Sequence, residues 1–153
     1  MKNKIYIAIL IIWIFTFSCS IIKNISGNDV VISMKKTSCM GNCPVYEISI
    51  HENRSVKLHA KENIGMEGQY RSKLSKQRYN NLVSAFESGK FFSFENTYTS
   101  RIFKDLPTTY IYFSHEGENK KIKDYYGAPK ELKELEKRVA RLIDELEWKK
   151  VKK

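Results

Sequence analysis

Two cysteines separated by three residues are the most chemically informative feature of the sequence. Cys39 and Cys43 enclose Met-Gly-Asn, and Pro44 follows directly. Gly41 and Pro44 disfavour a helix, so the pair is predicted to lie in a loop that precedes a strand. Outside the reducing cytosol, two thiols this close in sequence are expected to form a disulfide.

The chemistry of this pair has two interpretations. We favour a structural disulfide, because thioredoxin-type redox motifs carry two intervening residues at a helix start, where the dipole lowers a thiol pKa. The alternative is a thiol-disulfide redox or redox-sensing pair. A zinc site needs about four ligands, and the chain has only 3 histidines, which are scattered, so no metal and no cofactor are expected.

Nucleophilic catalysis by a cysteine would require a neighbouring histidine. His51 and His59 are predicted to lie on the solvent side of a hairpin, away from the cysteines. No catalytic residues are therefore assigned, and the sequence is interpreted as that of a non-enzymatic protein.

The N-terminal residues predict export. Lys2 and Lys4 precede an apolar run from Ile5 to Phe17, which is short for a bilayer-spanning helix but typical of a signal peptide. Ser18-Cys19 resembles the lipobox of bacterial lipoproteins, in which the cysteine becomes the acylated first residue. The alternatives are an uncleaved anchor and ordinary secretion with Cys19 discarded.

Length and composition predict a single globular domain. The chain has 153 residues, of which 42% are hydrophobic and 29% charged, and its formal net charge is +10. We predict a signal peptide at 1–18, a lipid-anchored tether at 19–29, one α+β domain at 30–148 and a solvated basic tail at 149–153. No nucleic-acid partner is predicted, because acidic residues are interleaved with the cations of the last helix.

Alternating apolar residues predict six strands, and two helical patterns separate them. The predicted order is ββββ-α-ββ-α, which indicates a two-layer α+β fold with a mainly antiparallel sheet and both helices on one face. The predicted strands cover about 30–36, 46–51, 56–61, 66–72, 108–115 and 120–125. One helix is expected after the N-cap Ser75 with Gly89 as C-cap glycine, and the other from Pro129 as its first residue.

Alternation also predicts the register of the second hairpin. Burying both apolar faces requires Ile50 opposite Val56, Ile48 opposite Leu58 and Tyr46 opposite Ala60. The turn is then Glu52-Asn53-Arg54, and Glu47 faces His59 as an exposed ion pair. A later turn is expected at 116–119. Tyr110 and Tyr112 share one strand face, which is either a binding surface or partial core.

Three segments resemble an uncharacterised bacterial family, domain of unknown function 6438. They are Cys39-Met40-Gly41-Asn42-Cys43-Pro44-Val45-Tyr46, Asp105-Leu106-Pro107-Thr108 and Tyr126-Gly127-Ala128-Pro129 with the helix that follows. The resemblance implies an exported, often lipid-anchored domain and supplies no activity. It makes Tyr46, Asp105, Pro107 and Tyr126 candidate motif or surface residues.

The resulting hypothesis is a cell-envelope protein attached to the membrane through lipid at Cys19. It would act as a binding or accessory module whose partner is an envelope protein or a polysaccharide. Ser20 favours the outer over the inner membrane, with the domain in the periplasm or at the cell surface.

Overall fold

The computed structural model describes residues 29–152. The predicted signal peptide, the lipidation site Cys19 and the tether up to residue 28 lie outside the described residues. Within the described part, no helix has the length and apolar character needed to cross a membrane. The elements in chain order are β1 (Val30–Lys36), β2 (Val45–His51), β3 (Ser55–Glu62), β4 (Gly68–Lys73), α1 (Lys76–Ser88), β5 (Thr97–Tyr98), β6 (Thr109–His115), β7 (Glu118–Asp124), α2 (Lys130–Glu145) and β8 (Lys149–Lys150).

The strands form one sheet in the order β5-β7-β6-β1-β2-β3-β4-β8, in which only β5 and β7 pair in parallel. Both helices pack on the same face of this sheet, so the predicted two-layer α+β class is confirmed. The sheet has eight strands rather than about six, because β5 and β8 contain two residues each and leave no alternating pattern in the sequence. β8 occupies the start of the segment predicted as a solvated tail, and both of its lysines are exposed.

The register of the β2–β3 hairpin is confirmed at every predicted pair. Ile50 lies opposite Val56, Ile48 opposite Leu58 and Tyr46 opposite Ala60. Arg54 adopts a left-handed conformation, with φ of 67°, as the tight turn requires. His51, however, is only 4% exposed and its Nε2 lies 3.2 Å from the Ser49 hydroxyl, so its predicted position on the solvent side is wrong.

The β6–β7 turn is shorter than predicted. His115 pairs with Glu118, so only Glu116 and Gly117 form the turn. Both have positive φ, 50° and 87°, which is the pattern of a type I′ hairpin. Glu118 and Asn119 therefore belong to β7 and not to the turn.

Helix α1 begins as predicted, because the Ser75 hydroxyl accepts a hydrogen bond from the Arg78 amide. Its end differs: Gly89 has a φ of −74°, and the left-handed residue is Lys90, with a φ of 52°. A Cβ at Gly89 would lie 2.8 Å from the Ala85 carbonyl oxygen and 3.3 Å from Leu135 Cδ1. Gly89 therefore permits a close approach of α1 to α2 rather than a special backbone conformation.

We expect Gly89→Ala to lower the free energy of unfolding by about 1–3 kcal/mol, because the added methyl group overpacks this contact. Urea unfolding followed by circular dichroism measures the change. Lys90→Gly is the matched control, and its stability should not fall, since glycine adopts the left-handed region without penalty. A Gly89→Ala protein as stable as the wild type would contradict this account of the contact.

The core lies between the sheet and the two helices. Phe86 of α1, Phe91 of the following short 3₁₀ turn and Phe113 of β6 are fully buried, with ring centroids 5.0–5.8 Å apart. Helix α2 starts after Pro129, one residue later than predicted. It contributes a stripe of buried residues to the core: Leu132, Leu135, Glu136, Val139, Leu142 and Ile143.

Candidate functional site

The three sequence motifs converge at one end of the sheet. The cysteine loop joins the end of β1 to the start of β2, the second motif precedes β6, and the third follows β7. The second motif is bonded to the residue that leads into the cysteine loop, because the Thr37 amide donates to the Thr108 carbonyl at 3.0 Å and the Thr108 amide donates to the Thr37 hydroxyl at 2.9 Å. Antiparallel pairing brings these distant segments together.

Cys39 and Cys43 form a disulfide, with their Cα atoms 5.8 Å apart. Both cysteines are half-buried, and Met40 between them is 84% exposed. The loop is also fastened by Asn63, whose side-chain amide donates to the Cys43 carbonyl at 3.0 Å. The bond is therefore accessible, and the arrangement is compatible with both a structural and a redox role.

Asp105, Pro107 and Tyr126 shape the chain around this end. Asp105 is exposed and has a φ of 65°, and the Tyr126 ring lies 4.3 Å from that of Phe103. Tyr125 donates its hydroxyl proton to the Phe103 carbonyl at 3.0 Å and accepts a hydrogen bond from the Leu106 amide at 3.3 Å. These contacts order the segment between β5 and β6.

A small cavity of about 280 Å³ opens between this segment and α2. Its lining residues are Lys36, Leu106, Pro107, Thr109, Tyr125, Lys133, Glu136 and Lys137. One of them, Glu136, is a buried carboxyl group with 5% exposure, and Lys133 connects it to a second buried carboxyl group, Asp124, with 1% exposure. Lys133 is bonded to Asp124, and its Nζ lies 3.5 Å from Glu136 Oε2. Among residues 29–152, no side chain or backbone group donates a hydrogen bond to Asp124 Oδ1 or Glu136 Oε1.

Burial raises the pKa of Glu136 to about 7; the charge of Lys133 opposes this shift and that of Asp124 adds to it. Burial lowers the pKa of Lys133, but its hydrogen bond to Asp124 and the charge of Glu136 outweigh this effect and raise it. The motif residue Tyr46 is buried close by, and burial together with Glu136 and Asp144 raises its pKa, so it stays protonated. We call Asp124, Lys133 and Glu136 the buried charge cluster.

The opposite face of the sheet is not covered by either helix. It forms a concave surface enclosing about 630 Å³. The predicted tyrosine face lies here, since Tyr110 and Tyr112 line the cavity while Ile111 and Phe113 are buried beneath the helices. We call this surface the open face.

Two rows of side chains cross the open face, with one residue from each of six neighbouring strands. The first ladder runs from β7 to β4 through Lys121, Tyr112, Ser33, Ser49, Lys57 and Arg71. The second ladder runs in the same direction through Lys123, Tyr110, Lys35, Glu47, His59 and Gln69. Cross-strand pairing in a regular sheet fixes these side chains relative to one another.

Charge on the open face is mainly positive. Glu47 is the one carboxylate in the two ladders, and it accepts from Lys61 at 2.8 Å and from Lys35 at 3.1 Å. The hydrogen bond from Lys61, followed by that from Lys35, outweighs desolvation and lowers the pKa of Glu47. Glu47 does lie opposite His59, but its ion pairs are with these lysines, so the predicted pair with the histidine is wrong.

A protein-family model described as Domain of unknown function (DUF6438) matches residues 30–143. The chain belongs to this family. The searches of curated proteins and of solved structures gave no match. The match confirms the resemblance to the DUF6438 family, and it spans the domain from β1 to near the end of α2.

In this DUF6438 domain, sequence reasoning missed the buried charge cluster. The sequence does contain two signals of this cluster. Asp124 follows Ile122 at the next position on the buried side of β7, and Glu136 interrupts the apolar stripe of α2. A carboxylate at a position that periodicity assigns to the core indicates a buried polar contact. Within residues 29–152, no group of three or more His, Cys, Asp or Glu side chains is placed to hold a metal ion.

Proposed function

We propose that this DUF6438 protein is a non-enzymatic binding module of the bacterial cell envelope, held on a membrane by lipid at Cys19. The N-terminal sequence supports the anchor, because a basic start and a short apolar run end at Ser18-Cys19. More than one acyl chain on a protein gives lasting membrane attachment, whereas one chain alone is marginal. The domain would then present its binding surface to other envelope components.

The observation that carries the binding role is the open face. A sheet in a two-layer domain needs only one covered side, and polar residues are expected on the other. Here the second side is concave, with two half-buried tyrosines and a row of cations. Because these groups are mounted on paired strands, they need little ordering when a ligand binds.

Intact mass spectrometry of the protein extracted from membranes tests the anchor. We expect a chain that begins at Cys19, carries acyl groups on that residue, and lacks two hydrogens because of the Cys39–Cys43 bond. A full-length chain without acyl groups would contradict the anchoring part of the proposal. A Cys19→Ala protein, which should remain uncleaved and unacylated, is the control.

Thiol-disulfide exchange through Cys39 and Cys43 is the second candidate function. It is favoured by the accessible position of the bond in a loop whose ends are bonded independently, by Thr37 to Thr108 and by Asn63 to Cys43. Reduction would then leave the sheet intact. A reduction potential far below that of the glutathione pool would mean a structural bond, and an easily reduced bond would favour exchange.

We expect replacement of both Cys39 and Cys43 by serine to lower the free energy of unfolding by about 2 kcal/mol, the loop-entropy value for so short a ring. The sheet should still form, because the hydrogen bonds at both loop ends remain. Urea unfolding of this variant and of the wild type under oxidising and reducing conditions measures the effect. Complete loss of folding would show that the disulfide organises more than its own loop.

A further inference from the structure

We propose that the open face binds an acidic glycan chain laid across the strands, an inference that rests on the proposed binding function. The two ladders define the direction of the site. Neighbouring strands lie about 4.8 Å apart, so six strands from β7 to β4 span roughly 24 Å. A surface of this length and of shallow curvature fits a linear polymer of several sugar rings better than a small compact molecule.

Charge complementarity requires an anionic ligand. The two ladders contain five cations, namely Lys35, Lys57, Arg71, Lys121 and Lys123, against the single carboxylate Glu47. That carboxylate is already neutralised by two lysines. The cations lie at both ends of the face, so a chain with repeated negative groups could contact both ends at once.

The groups between the cations suit sugar rings. Tyr110 and Tyr112 offer flat apolar rings with polar tips, and Lys121 Nζ lies 5.3 Å from the centroid of the Tyr110 ring. The middle of the first ladder contains two serine hydroxyls, and the second ends in an imidazole and an amide. Hydroxyl-rich ligands can exchange hydrogen bonds with such groups. An apolar peptide or an acyl chain would leave them unpaired.

Carboxylates and phosphates are the two sources of negative charge on a glycan, and a face of lysines and arginine binds both by the same chemistry. Fluorescence anisotropy with the full-length chain in non-ionic detergent separates these sources, using labelled polygalacturonate, phosphomannan, neutral dextran and single-stranded DNA. We expect binding to one or both acidic glycans, weakened by salt, and none to dextran. Tighter binding to DNA than to either glycan would overturn the proposal.

The decisive variant is Lys57→Glu with Arg71→Glu, which reverses the charge at one end of the first ladder. We expect acidic-glycan binding to weaken by about tenfold or more, since two exposed contacts are lost and replaced by repulsion. Arg101→Glu with Lys104→Glu is the matched control: it makes the same charge change at exposed residues that do not line the face. An equal loss in both variants would overturn the proposal, because it would show attraction to net charge alone.

A third variant tests the role of the sugar rings. Tyr112→Ala should weaken acidic-glycan binding several-fold while leaving the net charge unchanged, and circular dichroism confirms that each variant is folded. Unchanged glycan affinity in this variant would contradict a ligand that stacks on the tyrosine.

A photo-crosslinking residue at Ser49 in cells distinguishes failure of this inference from failure of the binding function. Cross-linking to an acidic glycan supports both. Cross-linking only to an envelope protein overturns the inference that the ligand is a glycan and leaves the proposed binding function in place. No cross-link to any envelope component overturns both.

Discussion

Lys133→Met is expected to lower the free energy of unfolding by about 2–4 kcal/mol, below the full cost of breaking a buried ion pair because 41% of the Lys133 side chain is exposed to solvent. Lys133 is the cation bonded to Asp124, whose side chain is completely buried, and it also contacts Glu136. Methionine preserves most of the packing of the lysine stem but none of its charge. The variant would therefore leave two carboxyl groups under α2 without a counter-ion.

The matched control is Lys137→Met on the same helix. Lys137 is exposed, and in the described part of the chain its ion pair is with Glu134, at 2.9 Å. Exposed pairs of this kind contribute little, so the control should have near wild-type stability. Urea unfolding of both variants at pH 7 measures the difference. Equal stability of the two variants would mean that burying Asp124 and Glu136 does not require the positive charge of Lys133.

The second large effect is a fall in stability with rising pH, caused by Glu136. Its pKa is about 7 in the folded protein and near 4.5 without the environment of the fold. Between these values the folded state binds a proton that the unfolded chain has released. The contribution of Glu136 is therefore fully present below about pH 4.5 and is lost as the pH rises through 7, with a total change of about 3 kcal/mol.

Glu136→Gln tests this assignment, because glutamine is similar in shape and does not ionise. Unfolding free energies at pH 5 and pH 8 should show that the wild type loses about 2–3 kcal/mol more than the variant over this interval, since a small part of the total is already lost at pH 5. Glu134→Gln, an exposed carboxylate on the same helix, should keep the wild-type profile. The same pH dependence in wild type and Glu136→Gln would assign the effect to other groups.

The parts of the fold that could be predicted are those in which burial alternates along the chain. The β2–β3 register follows from one condition, that apolar residues of both strands face the helices, and Ile48 opposite Leu58 satisfies it. Features set by contacts between distant segments could not be predicted in this way. Gly89 is required by the approach of Leu135, and the two-residue strand β8 depends on pairing with β4.

The candidate sites also divide into features that follow from one strand and features that depend on contacts between distant segments. The shared face of Tyr110 and Tyr112 was predicted because it needs only the period of one strand. The two ladders require the strand order, in which β6 and β3 lie on opposite sides of the β1–β2 pair. The buried charge cluster requires in addition the position of α2 over β7. Neither arrangement is encoded by the spacing of residues along the chain.

The short strands at the two margins of the sheet have a consequence for self-association. β5 and β8 each pair over two residues, and β8 carries exposed Lys149 and Lys150. Long unpaired margins recruit strands from other molecules, whereas brief, lysine-bearing ones repel them. Many copies confined to a small area would therefore resist joining into continuous intermolecular β-structure through the lysine-bearing β8 margin, even at high local density.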